Sequence, residues 1–443
     1  MARGEEAAMS VDRPSTVYQR LPFFYGWVIV AVAFVTVALG VTARTAFSLM
    51  FPPIVDELGW DRGLAAGAFS FGFLISALAS PLVGRLMDRQ GPRVVIGLGI
   101  LLMTAGLLSA VMIRSPWHLY ATLGALVGCG TNCMTFTAQS QYLPYWFARR
   151  RALAISIAFS GAGFGAIVLL PWLQSIIQRD GWRQSCWTLG IVSLAVLLPI
   201  NLLVRRRPQD VGLQPDGETQ GLGGSGQQRR PNIVDPAWAS IEWTPGRAVR
   251  TRRFWWIAVG YFCGGFIWYA VQVHQTKYLV EVGFSPMQAA WALGLVAIVA
   301  VPGQIALGAL SDRVGREIVW TISCAGFAAC YQALLILAGG PSLPLLYLMI
   351  LAQGALGYAL TALMGPIVAE IFEGPHYGAI FGLVTIALIV GGAVGPLAVG
   401  IAHDLTGSYA AAFVASIVLS AVSVIAIWQA APSKVRVVPG RVR

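Results

Sequence analysis

Two stretches decide the reading of this chain: Gly84–Arg93, GRLMDRQGPR, and Gly308–Glu317, GALSDRVGRE. Gly84 matches Gly308, Asp88 matches Asp312, Arg89 matches Arg313 and Gly91 matches Gly315, at an offset of 224 residues in a chain of 443. Each follows a long apolar run, so one short polar loop recurs at the same place in two halves. Glycine at the start lets helix backbones approach closely. The aspartate falls near a helix C-terminus, where the dipole does not favour a carboxylate. It therefore needs a compensating partner, either a nearby arginine or the N-terminus of a neighbouring helix. The expectation is a latch that holds one conformation closed, built from Gly84, Asp88, Arg89, Gly91, Arg93, Gly308, Asp312, Arg313 and Gly315. The plainer alternative is a positively charged turn, and the duplication argues against it.

Outward from these loops, the chain is apolar. Hydrophobic types make up 57% and charged types 11%, against about 25% charged in ordinary soluble proteins. Mean hydropathy is +0.70. A soluble globule could not cover its surface with so little charge, so a soluble enzyme is excluded and the solvent is lipid. The net charge of +11 would suit a nucleic-acid binder only as patches on a soluble domain, so no nucleic acid is expected. The six cysteines all lie in apolar runs. Cys129 and Cys133 lack a neighbouring His or carboxylate, so no metal site is expected.

A membrane-spanning helix needs about 20 mostly apolar residues. Twelve such stretches are legible, at 25–49, 62–84, 94–112, 117–141, 151–172, 184–204, 254–279, 286–309, 318–337, 344–368, 377–402 and 408–429. The predicted fold is an all-α membrane protein of twelve transmembrane helices in two pseudo-symmetric six-helix bundles. With both termini inside, the inner segments carry 24 Lys and Arg and the outer ones five, the asymmetry expected of cytoplasmic connections. The domain reading is an N-terminal cytoplasmic segment 1–24, retained because it shows no cleavage pattern. A first bundle follows at 25–204, then a cytoplasmic linker 205–253, a second bundle 254–429 and a cytoplasmic tail 430–443. Within the linker, 212–230 is polar and turn-forming. Trp238 to Trp243 read as a short interfacial helix. Gly-rich runs in the fifth and eleventh spans (Gly161, Gly163, Gly165; Gly391, Gly392, Gly395, Gly400) read as close-packing elements.

Twelve spans in two halves with this loop resemble the major facilitator superfamily, over about 25–429. More narrowly, the chain is similar to bacterial relatives of the monocarboxylate transporters. The passages that carry this are FFYGWVIVAVAF from Phe23, FPPIVDELGWDRG from Phe51 and YWFARRRALAISIAFSGAGFG from Tyr145. The resemblance implies alternating access in a multi-pass plasma membrane protein, the bacterial inner membrane being the expected location, functional as a monomer and without a cofactor.

Ionisable groups inside spans are functional candidates by default. Arg44 lies about 28 Å along the first helix at 1.5 Å per residue, in its outer half. Facing the bundle interior, it would hold a carboxylate through paired hydrogen bonds. Snorkelling, or a pair with Asp56 or Glu57, is the bland alternative. The related transporters often carry a basic residue near this level, which the resemblance adds to the functional reading. His274 is its repeat equivalent in the seventh span, and is the candidate to carry a co-transported proton. At similar depth, Asn132, Thr135, Gln139, Trp268, Tyr269, Gln272, Gln353 and Tyr358 form a belt that would line a central cavity. Alternatively, each merely bridges helices.

One departure matters. The eighth span, 286–309, lacks the charged residue such transporters often carry there, and the eleventh lacks the Lys of an oxalate–formate exchanger. One cationic anchor plus a titratable His favours a single carboxylate, and Glu370 and Asp404 sit only near span ends. The expected function is secondary transport of a small organic monocarboxylate, a proton being the expected partner. The alternatives are efflux of amphipathic or aromatic compounds, or organic-anion exchange. No enzyme chemistry is expected, since neither a metal cluster nor a nucleotide loop is present.

Overall fold

The computed structural model describes residues 22–60, 62–217, 232–438 and 440. Most of the 1–24 segment and most of the 212–230 stretch therefore lie outside the described residues. Helices dominate. The first span is Gly26–Thr45 continued by Phe47–Leu58, longer than its apolar core because FPPIVDEL continues the turn until Gly59, at φ 66°, ends it. Arg62–Gln90 and Pro92–Ser109 form the second and third spans. Residues 151–201 run on without a gap between helices, but Gly181, at φ 82°, breaks them into a fifth and a sixth span. The second half repeats the pattern with Arg252–Glu281, Pro286–Val314 and Arg316–Leu337, then 343–371, Tyr377–Thr406 and Ala410–Ala430.

The fourth and tenth spans depart from a simple rod, and they do so at equivalent places. The fourth runs through a π-helical stretch at Tyr120–Leu126, leaves helical geometry at Cys133–Thr135 and resumes at Phe136–Trp146. The tenth passes through a π turn at Ala352–Leu356 and a 3₁₀ turn at Gly357–Ala359 before Leu360–Ile371. Such interruptions free backbone groups that the interior must satisfy.

Two large hydrophobic cores form, one mainly in each half, with a small third cluster of Val83, Met87, Val95, Cys133 and Ala138 in the first half. Large apolar side chains such as Leu78, Leu82, Leu397 and Val418 are more than half exposed, the inverse of a soluble surface. The Gly-rich runs pack in symmetry-related ways. Gly161 and Gly165 lie against the backbone of Phe34 and Ala38, and Gly391 and Gly395 against that of Phe262 and Phe266. A side chain at any of these would collide with the facing helix.

The end of the bundles that carries the 84–93 and 308–317 loops is here called the latch end. The tail and linker cover it under the second half. Val234 N–H donates to the Val435 carbonyl at 2.9 Å and Val437 N–H to the Asn232 carbonyl at 2.8 Å. Arg436 donates to the Glu370 carbonyl at 2.7 Å and pairs with Glu373 at 3.1 Å. Trp238 and Trp243 differ from the headgroup placement that their sequence suggests. Trp243 is buried, the two rings lie 4.4 Å apart, and the Trp238 indole donates to the Ile371 carbonyl at 2.9 Å. Trp238 caps the tenth span, whose last carbonyls need donors, and the Trp243 indole donates to the Trp238 carbonyl at 3.3 Å.

Candidate functional site

Between the two halves lies a cavity of about 70 Å³. The fourth and fifth spans contribute Phe136, Thr137, Ser140 and Phe159. Gly265, Trp268 and Tyr269 come from the seventh, Thr361 and Met364 from the tenth, and Phe381, Thr385 and Leu388 from the eleventh. The broken stretches of the fourth and tenth spans immediately precede their lining residues, so each interruption sets the direction in which those side chains point.

The latch end of this cavity is shut by polar bonds. Asp88 accepts from the N–H of Gly378 at 2.9 Å and of Ala379 at 2.8 Å. Asp312 accepts from Ala152 at 3.2 Å and Leu153 at 3.1 Å. Each carboxylate thus sits on the N-terminus of a helix in the other half, where free N–H groups and the dipole favour an anion. Gly84 packs on the Gly378 backbone and Gly308 on Ser156 and Ala152, which explains their pairing with the aspartates. Gly91 and Gly315 turn the chain at φ 82° and 111°. Arg89, Arg93 and Arg313 are exposed. The arginine that does engage a latch aspartate is Arg316, buried, 2.7 Å from Asp312 and 2.8 Å from Glu370. Tyr377 completes the floor, donating to the Ser140 carbonyl at 2.8 Å across the halves. Arg151 and Glu373 also cross, at 3.6 Å.

At the opposite end the halves meet through apolar contacts instead. Phe73 of the second span meets Tyr269 edge-on with centroids 5.6 Å apart, and Gly163 lies against Val301. Arg44 stands behind this pair. Its guanidinium carbon lies 3.8 Å over the Phe73 ring, a cation–π arrangement, and it borders a small void shared with Phe47, Phe69, Leu123 and Val127. Its Nη2 is buried without a hydrogen-bond partner among the described residues. Glu57 is occupied elsewhere, by Arg183 and by the Trp182 indole at 2.7 Å.

His274 turns away from Arg44. Its Nε2 lies 2.9 Å from the Pro396 carbonyl, and a carbonyl only accepts, so this nitrogen carries the proton and Nδ1 is the open acceptor. Its ring packs near Tyr409, 5.6 Å between centroids. The two repeat-equivalent residues therefore do not share one wall: Arg44 faces the second span and His274 the eleventh.

The rest of the expected belt divides. Trp268 and Tyr269 line the cavity. Tyr358 packs behind Trp268 with tilted rings, 4.3 Å between centroids. Asn132 spends its amide on the Ser76 carbonyl and the Ser80 hydroxyl, at 3.0 and 3.1 Å. Thr135 donates back to Thr131 at 2.7 Å. Gln139 donates to the Met134 carbonyl at 2.8 Å and accepts from Tyr142 at 2.6 Å, so it satisfies the carbonyl exposed by the break at Cys133–Thr135. Gln353 is buried inside the second half, its oxygen 4.0 Å from Cys330 Sγ. Gln272 is exposed. The sequence reading missed Phe136, Thr137, Ser140, Phe159, Thr361, Met364, Phe381, Thr385 and Leu388. Their only prior signal was the family-like run around Phe159.

The family model of the Major Facilitator Superfamily matches residues 32–342 and 275–442. Monocarboxylate transporter 13 of Bos taurus is 27% identical over 395 residues, covering 88% of this chain and 85% of that protein. Monocarboxylate transporter 12 of Homo sapiens is 28% identical over 407 residues, covering 88% and 77%. Among solved structures, the transporter FucP in the outward conformation superposes with a TM-score of 0.67 at 18% identity, covering 92% of this chain and 99% of that one. The proton:xylose symporter XylE gives 0.68 at 14% identity, covering 91% and 95%. The chain belongs to the Major Facilitator Superfamily. It is a multi-pass membrane transporter related to the monocarboxylate transporters, not an enzyme.

Proposed function

From this membership we infer that the chain carries a small organic monocarboxylate across the membrane by alternating access, with a co-transported proton. The observation that supports this most is Arg44: a guanidinium in a membrane span, lying over Phe73 inside the first half behind the Phe73–Tyr269 contact, with a buried Nη2 that has no partner among the described residues. A buried donor of this kind is costly unless something occupies it, and a carboxylate arriving from the cavity is the complementary group. In this reading the latch end faces the cytoplasm, in the bacterial inner membrane, and with the latch closed cargo enters from the opposite side when the Phe73–Tyr269 contact loosens. Rocking of the bundles breaks the Asp88 and Asp312 contacts and releases cargo inside. His274, with Nδ1 free, is the proposed proton carrier. The proposed working unit is the monomer.

The test is uptake of labelled monocarboxylates into proteoliposomes, with and without an inward proton gradient. Saturable, gradient-stimulated uptake that Arg44→Gln reduces by at least about tenfold, the worth of a lost charge-assisted hydrogen bond, supports the reading. Uptake indifferent to Arg44→Gln overturns it. The apolar cavity lining supports a second reading, export of uncharged amphipathic compounds. Such a cargo would be transported equally by Arg44→Gln.

A further inference from the structure

We propose, on the basis of the carboxylate reading above, that the cargo is a monocarboxylate with a bulky apolar body, a branched aliphatic chain or a single ring, and not a small hydroxy- or keto-acid. Among the described residues the cavity lining carries no side-chain amide, carboxylate, imidazole, ammonium or guanidinium. Its walls are Phe136, Phe159, Trp268, Tyr269, Met364, Phe381 and Leu388, and its hydroxyls are those of Tyr269, Thr137, Ser140, Thr361 and Thr385. Two of those hydroxyls are already committed. Thr385 donates to its own helix at the Phe381 carbonyl, 2.7 Å. Thr361 donates to the Tyr358 carbonyl at 3.1 Å and accepts from Gln304 at 2.6 Å.

A cargo hydroxyl or keto oxygen placed here would give up water for the Thr137, Ser140 and Tyr269 hydroxyls and the Trp268 indole alone, and polar groups left unpaired in an apolar site are strongly disfavoured. An apolar body meets the opposite situation, since each buried methylene is favourable. Size agrees. The void of about 70 Å³ is several times the ~10–15 Å³ one water requires, and below the ~150 Å³ that admits benzene in an engineered cavity. A branched chain fits it as it stands. A ring requires the Phe73–Tyr269 contact to loosen, and that loosening also exposes Arg44 to the cavity. The site is thus polarised along one axis, with the single charge at the rim behind Phe73 and Tyr269 and the apolar box toward the latch. That polarity matches an acid with its carboxylate at one end and its hydrocarbon at the other.

The experiment is competition for uptake in proteoliposomes containing the full chain, with 3-methylbutanoate and phenylacetate set against acetate and lactate, and 3-methylbutanamide as the uncharged control. The expected result is a preference of at least about tenfold for the branched or ring acid, the scale of discrimination an apolar pocket gives per methylene. Leu388→Ser should shift the preference toward lactate, and Trp268→Ala should flatten it. Lactate or acetate carried as well as the larger acids, with Arg44→Gln still damaging, would overturn this proposal and leave the carboxylate reading standing. An amide that competes as well as its acid would overturn both.

Discussion

At the scale of single residues, rarity and placement carry different information. Arg44 and His274 stood out in the sequence because charge inside a span is expensive. Their orientation was not legible, because in lipid the outer and inner faces of a helix are equally apolar and no periodicity marks which side is which. The cavity residues Phe136, Phe159, Met364 and Leu388 were invisible for the same reason. His274 keeps Nδ1 open while Nε2 is anchored on Pro396. We predict that His274→Ala retains carboxylate exchange but loses stimulation by a proton gradient, measured as the ratio of uptake with and without the gradient. An unchanged ratio would remove His274 from proton coupling. Arg44→Lys should retain part of the uptake that Arg44→Gln loses, because an ammonium keeps the charge and gives up only the paired geometry.

At the scale of elements, the existence of spans was plain from apolar length, and their interruptions were not. Nothing in GTNCMTFT marks a break: the stretch has no proline, and its one glycine lies before the interruption. The break becomes intelligible only through its partner, Gln139, which is fully buried and donates to the Met134 carbonyl. The sequence alone points to Gln139 as a cavity residue. The structure gives its amide to the backbone, and its oxygen to Tyr142. Gln139→Leu should therefore lower stability by roughly 1–3 kcal/mol for the orphaned carbonyl, seen as a lower melting temperature of the detergent-solubilised protein. A melting temperature equal to wild type would show that the break satisfies itself. The linker tryptophans teach the complementary lesson. Aromatic composition suggested a lipid interface, while Phe372 and the Ile371 carbonyl offered a better-packed and hydrogen-bonded seat.

At the scale of the whole molecule, the duplication of one loop read out both the pseudo-symmetry and the need for a compensating partner. What it could not supply was which helix would provide it, since that depends on how the halves dock. The docking is polar at one end and apolar at the other. Four N–H donors hold Asp88 and Asp312, each bond to a charged group being worth about 1.5–3 kcal/mol. Asn retains one acceptor and turns an amide NH₂ toward a donor. The Asp88→Asn and Asp312→Asn pair should therefore shift the population toward a latch-open state. A cysteine at Thr137 would report this as faster labelling by an impermeant thiol reagent from the latch side. Equal labelling would mean that the latch does not set the resting state. Opening about this latch matters for function only if an anion sits between the halves when it happens.

The most direct test is equilibrium binding of a labelled branched-chain monocarboxylate to the purified protein. Wild type should bind saturably, and Arg44→Gln should bind at least about tenfold more weakly at an unchanged melting temperature. Equal affinity in the two proteins would contradict the account.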